Sequence, residues 1–321
     1  MKTTNIHPPI PLNGQPLNEE TSTRAKGVLL MLGAVAAFTV SVLMLRSAGI
    51  AGSIWIATCM RYGIGLALVT VLYLPKGQFK PFQLIRNPDL MMRGVLGCMG
   101  VYLFYATIPK LGAGVSTFIS TTYVVIAPLI ARVYLNERLT LKQVGLMLLA
   151  MIGMFIMTGL TGASAPPPRY VLIGLIGAVL AAIVVVYIRK LTRTEHSSTI
   201  YAAQCFFGLL IGCGPALLQQ TGPRIESANL SALLLSGVMA SIGQLLMTFG
   251  YKHLPVTEGG LMALCAPVTI MAGGILYFGE PSSGARMAGA GLILCASVLM
   301  ATLKRGPPAE QASGLTAEPS G

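Results

Sequence analysis

The sequence predicts an all-α integral membrane protein of ten transmembrane helices, arranged as two inverted five-helix repeats. Three observations predict it. The 321 residues are 54% hydrophobic and only 10% charged, with a mean hydropathy of +0.73, which is too apolar for an ordinary soluble chain. Apolar runs of roughly 17 to 25 residues, each able to cross a hydrocarbon core of about 30 Å, recur along nearly the whole length. The two halves of the chain also match one another residue by residue at a fixed shift.

Polar and Pro/Gly breaks set the elements in order. Residues 1–26 contain no apolar core of a signal peptide and are expected to form a disordered tail, so the first span must itself direct insertion. That span, Gly27 to Leu45, closes at Arg46, and the second, Ser53 to Leu74, closes at Pro75-Lys76-Gly77. The third, Leu90 to Ile108, follows Asn87-Pro88-Asp89, and the fourth, Leu111 to Leu135, stops at Asn136-Glu137-Arg138. The fifth, Leu141 to Gly159, completes a first half, residues 27–160. A linker, 161–169, carries Pro166, Pro167 and Pro168. The second half, 170–303, holds spans at Tyr170 to Ile188, Ser198 to Leu218, Asn229 to Phe249, Val256 to Phe278 and Ala285 to Leu303. Residues 304–321, rich in Pro, Ala, Ser and Gly, are expected to be a second disordered tail.

A net charge of +12 raises the question of nucleic acid, but the basic residues sit in short connections and form no stripe, so no nucleic-acid partner is expected. With the N-terminus inside, the outer loops hold only Arg46, Lys110, Arg169, Arg224 and Arg286. The sixteen other loop and tail cations, Arg93 among them, then fall inside. This bias predicts an inner (cytoplasmic) membrane protein with both termini cytoplasmic. The six cysteines lie in apolar runs without CxxC spacing or a nearby His, so they read as packing residues, and neither a metal nor a cofactor is expected.

The repeat is explicit. Gly33-Ala34-Val35-x-Ala37 matches Gly177-Ala178-Val179-x-Ala181, with Arg46 and Lys190 thirteen residues past the first glycine of each. At a shift of 143, Gly94, Gly100, Leu103, Leu111, Tyr134 and Glu137 fall on Gly237, Gly243, Leu246, Leu254, Tyr277 and Glu280. Five spans per half is an odd number, so the second half enters the membrane upside down, an architecture that supports alternating access around a midplane site.

Family motifs stand at the ends of the fourth and ninth spans. The first half carries Phe104-Tyr105-Ala106-Thr107-Ile108-Pro109, Ala127-Pro128 and Leu135-Asn136-Glu137-Arg138-Leu139, followed by Gly145 and Gly153. The second carries Gly243-Gln244, Pro255, Ala266-Pro267-Val268, Phe278-Gly279-Glu280 and Gly289. In these the chain resembles the ten-helix EamA type of the drug/metabolite transporter superfamily, over about Gly27 to Leu303. The resemblance implies a permease, often an exporter, for amino acids, nucleosides, vitamins or similar metabolites. It also implies a helix proline thirteen residues before the Glu. Pro267 obeys this, whereas Pro128 lies nine before Glu137 and Val124 holds the expected place. The Arg-aromatic pair common in the family's second helix is Arg61-Tyr62 here.

Arg61 is the chief candidate for binding solute. A central Arg costs roughly 2.5–3.5 kcal/mol on insertion scales, and no Asp or Glu lies deep in a span to neutralise it. Ala57, Thr58 and Gly65 give it a small-residue face suited to helix contact. It either meets an anionic solute or locks the bundle by bonding helix carbonyls. Gly237, Ser241, Gln244, Thr248 and Tyr251 form a polar stripe on the eighth span, with Tyr102 and Tyr105 on its counterpart, the third. The fourth span adds Ser116, Ser120 and Tyr123 ahead of Pro128. These faces would line a cavity for a small amphipathic solute, or else serve interhelical hydrogen bonds. Pro128, Pro267 and Pro215 are candidate hinges, gates or static kinks. Glu137 and Glu280 read as scaffold, favouring the positive starts of the fifth and tenth helices. The expected partners are lipid, a small-molecule solute and, as an open alternative, a second copy in a homodimer. An intramembrane enzyme or a sensor is the rival, but no GxSxG, HExxH or GxxxxGK[ST] motif is present.

Overall fold

In the computed structural model, residues 17–48, 54–158, 167–218 and 227–303 are described. The linker prediction and the C-terminal tail lie largely or wholly outside them, as do residues 1–16. Among the described residues every regular element is helical: α1 (Leu17–Ser47), α2 (Ile54–Tyr73), α3 (Gln83–Arg86), α4 (Pro88–Thr121), α5 (Tyr123–Tyr134) and α6 (Leu141–Thr158). The series continues with α7 (Pro168–Leu191), α8 (Ser197–Leu218), α9 (Ser227–His253), α10 (Val256–Ala263), α11 (Cys265–Phe278) and α12 (Gly284–Thr302). They supply ten stretches long and apolar enough to cross a membrane.

The helix α1 starts at Leu17, ahead of the expected boundary at Gly27. Tertiary contact explains part of the extension, because Arg24 donates to the Glu258 carboxylate and to the carbonyls of Met300 and Leu303 at the C-terminal end of α12. Both ends of the bundle's chain are thereby held side by side. We call this the terminal end.

Helix α4 extends across the expected boundary between the third and fourth spans. A straight helix would separate Thr107 from Ile119 by about 18 Å. Both side chains nevertheless border the same point beside Gly174 of α7, so the chain turns back between them. The fourth and ninth spans are each interrupted, at Thr122 and at Leu264. Leu264 precedes Pro267 by three residues, and a proline cannot donate to the carbonyl four residues back. In the fourth span the break falls well ahead of Pro128, where Thr121 and Thr122 hydroxyls donate to the carbonyls of Phe118 and Ile119 and compete with helical bonding. Pro215, by contrast, does not interrupt its helix.

The packing is the same when the halves are exchanged. Helix α1 packs on α9 as α7 packs on α4, α2 meets α9 as α8 meets α4, and α1 meets α11 as α7 meets α5. The pairs α2 with α8 and α6 with α12 join equivalent helices. At the last of these, a Cβ on Gly153 would stand 2.7 Å from the Gly289 carbonyl, so only glycine lets the two backbones approach.

The two glutamates do not cap the helices that follow them. Helix α6 is capped by the reciprocal Thr140–Gln143 pair, whose side chains each accept from the other's backbone N–H, and α12 is capped by Ser283. Glu137 instead accepts from Arg189 Nε at 3.1 Å and from the Val256 N–H, at the start of α10, at 2.9 Å. Glu280 pairs with Arg46 at the opposite end of the bundle. Under the shift of 143 these are one interaction occurring twice, and the counterpart of Arg46 is Arg189. Lys190, which the glycine alignment put in that place, pairs with Asp89 at 2.7 Å.

Candidate functional site

The core of the site lies where α2 and α4 of the first half meet α8 and α9 of the second. Arg61 stands in the second turn of α2. Its Nε is buried without a hydrogen-bond partner, and its guanidinium lies 6.0 Å from the Phe38 ring centre. Gly237 of α9 brings that helix against the Arg61 backbone. Phe38 also borders a small apolar cleft with Met31, Val35, Met247, Ala263 and Ala266, which leads to the break between α10 and α11. Beside it the Thr39 and Thr269 hydroxyls share a 2.5 Å hydrogen bond.

The neighbouring residues are aromatic and tightly held. Tyr62 is buried against Gly208, where any Cβ would enter its ring, and its hydroxyl has no partner. Tyr102 donates to the Gly208 carbonyl at 3.0 Å and stacks on Trp55 with ring centres 4.5 Å apart. Ser241 is buried and hydrogen-bonded to Tyr201 Oη at 3.0 Å while donating to its own helix at Gly237. Tyr201 in turn lies over Gly65, one turn beyond Arg61. Of the small-residue face expected for α2, Gly65 is thus the contact with α8.

The structure brings Arg61, Tyr62, Tyr102 and Ser241 together. Tyr105 belongs to the same face of α4 and is half-buried. Gln244 and Thr248 are buried farther along α9, and the Thr248 hydroxyl donates to the Gln244 carbonyl of its own helix. The fourth-span residues take another place. Phe118 packs edge-on to Phe155 of α6 and Ile119 packs on α7, and among them Ser116 is buried with an unpartnered hydroxyl. Ser120 and Tyr123 are half-buried beside the Thr122 break. Pro128 is buried within α5 and Pro267 lies in the first turn of α11.

Two groups of functional interest are absent from the sequence reading. The seventh span supplies Tyr201, Gln204, Cys205 and Gly208, yet it carries no stripe as conspicuous as that of α9. Arg93, expected in an inner loop, instead lies within α4 and is 0% exposed. Its Nη2 donates to Gln204 Oε1 at 2.9 Å, while Nε and Nη1 have no partner. Among the described residues neither Arg61 nor Arg93 has a carboxylate at ion-pair distance. A signal existed, since 204 is 61 displaced by 143, and a polar residue there marks the counterpart of Arg61.

Among the described residues ten helices are long and apolar enough to cross a membrane, and they hold two arginines with no carboxylate at ion-pair distance; together with the family match this makes the chain a polytopic membrane transporter. The chain belongs to the EamA-like transporter family, whose sequence pattern matches residues 25–159 and again residues 168–302. It is similar to the protein named Pseudopaline exporter CntI in two strains of Pseudomonas aeruginosa, 25% identical over 285 residues that cover 86% of this chain and 97% of that one. One solved crystal structure of a protein, 19% identical, shares the fold with a TM-score of 0.73 over 87% of this chain and 96% of the other.

Proposed function

We propose that this chain is a secondary exporter that moves a small anionic or amphipathic metabolite, such as an amino acid or a related compound, out across the cytoplasmic membrane by alternating access. The observation that carries the reading is Arg61. A guanidinium inside a span, with a buried nitrogen unbonded and no carboxylate beside it, is incomplete until an anionic group reaches it. It stands where the two halves meet, which is where a rocking motion exposes a site first to one side and then to the other. The equivalent ion pairs Glu137–Arg189 and Arg46–Glu280 support this, because each would latch one end of the bundle. Outward direction is taken from the relative's name, and the terminal end is read as cytoplasmic from the positive-inside bias. Residues 27–160 and 170–303 are the two moving units in this proposal, and a homodimer remains part of it.

Purified protein in liposomes preloaded with labelled amino acids, nucleosides and vitamins tests the reading. Saturable release of an anionic solute, competed by the unlabelled compound and lost in Arg61→Ala, is the expected result. Release of none of the panel would overturn it.

A further inference from the structure

Among the described residues Arg93 is an anomalous side chain. It is fully buried, permanently charged, bonded only to the neutral amide of Gln204, and left with two unbonded nitrogens. A buried charge is stable only when paired and hydrogen-bonded, and each unsatisfied charged donor is expensive. The fold makes room for the group deliberately. A Cβ on Gly97 would collide with Arg93 Nη1 and stand 3.5 Å from Gln204 Cδ, so the glycine is what lets the guanidinium lie back along its helix toward α8.

Arg93 is also joined to the Arg61 site. Gln204 is the neighbour of Cys205, and Cys205 with Tyr201 fills the space over Gly65, one turn from Arg61. The two arginines enter from opposite ends of the bundle, seven residues past Ile54 on α2 and five past Pro88 on α4. Along the membrane normal that places them on the order of 10 Å apart. No carboxylate of the described residues neutralises either one.

We infer that Arg61 and Arg93 form a two-point anion site, so that the transported solute carries at least two carboxylates separated by several bonds, one for each guanidinium. This deepens the proposed function and rests on it, and it makes Arg93 and Gln204 specificity-determining residues. A solute with one carboxylate would satisfy Arg61 alone and leave Arg93 in its unsatisfied state.

Binding of α,ω-dicarboxylates from succinate to suberate, each against the monocarboxylate of the same length, is measured by thermal shift and calorimetry on detergent-solubilised protein. The wild type is expected to bind the best dicarboxylate at least ~10-fold more tightly than its monocarboxylate, the worth of one charged hydrogen-bonded contact. Arg93→Gln should reduce that ratio to near one. Gln204→Glu supplies a carboxylate of its own to Arg93. It should raise the melting temperature without ligand and abolish the dicarboxylate preference, which keeps the test open if Arg93→Gln folds poorly. Equal binding of the two ligand classes by the wild type would overturn the inference, as would a dicarboxylate preference that survives in Gln204→Glu. Either result leaves liposome export by Arg61 to be judged separately.

Discussion

Guanidinium groups inside a bilayer are stable only where protein or water replaces the hydration they lose. Arg61 has part of that replacement in the Phe38 face and the close backbone of α9, while its Nε stays buried and unbonded. Arg61→Ala is therefore expected to abolish transport of an anionic solute with folded yield in detergent retained. A fall in yield equal to the fall in transport would instead make the side chain a lock. The aromatic wall beside it depends on one missing carbon. Gly208→Ala pushes a methyl into the Tyr62 ring and should cost roughly 1–3 kcal/mol of stability, read as a lower midpoint of unfolding in mixed detergent. Arg61 was legible from the sequence because an arginine in an apolar run is conspicuous. Arg93 was not, because it lies so close to the helix start that periodicity cannot separate a snorkelling end residue from a buried one.

At the scale of elements, Glu137 and Glu280 show how equivalent residues acquire different weight. The Glu137–Arg189 pair is 14% and 19% exposed, and Glu137 also holds the α10 N-terminus, whereas the Arg46–Glu280 pair is 50% and 37% exposed. Glu137→Gln should therefore destabilise the fold by roughly 1–3 kcal/mol. Glu280→Gln should change it by no more than about 1 kcal/mol, as for other exposed pairs. Unfolding of the two variants in parallel checks the order, and equal effects would contradict it. The places of the glutamates in the turns pointed to the helices that follow them, but their partners are Arg189 with Val256 and Arg46. Those partners could not be read from the sequence, because Val256 lies 119 residues away from Glu137. The breaks in the fourth and ninth spans were anticipated from proline alone, yet in the fourth the hydroxyls of Thr121 and Thr122 set the position.

For the molecule as a whole, the orientation is open to a direct test. In a background with Cys213 and Cys295 replaced, single cysteines at Arg169 and Arg286 should react with an impermeant maleimide added outside intact cells. Those at Arg138 and Arg193 should react only after lysis. The opposite pattern would invert the topology and with it the assignment of the terminal end. The sequence by itself determined the ten spans, the two matching halves and the family, because each follows from local hydropathy and from spacing along the chain. Only the tertiary structure decided what faces what: that α8 packs against both α2 and α4, that Arg93 is buried with unbonded nitrogens, and that the glutamates bind arginines of the other half. The reason is physical. Membrane insertion is governed by the transfer free energy of each segment and is written locally, whereas helix packing in lipid is governed by close approach and hydrogen bonds between segments far apart in sequence.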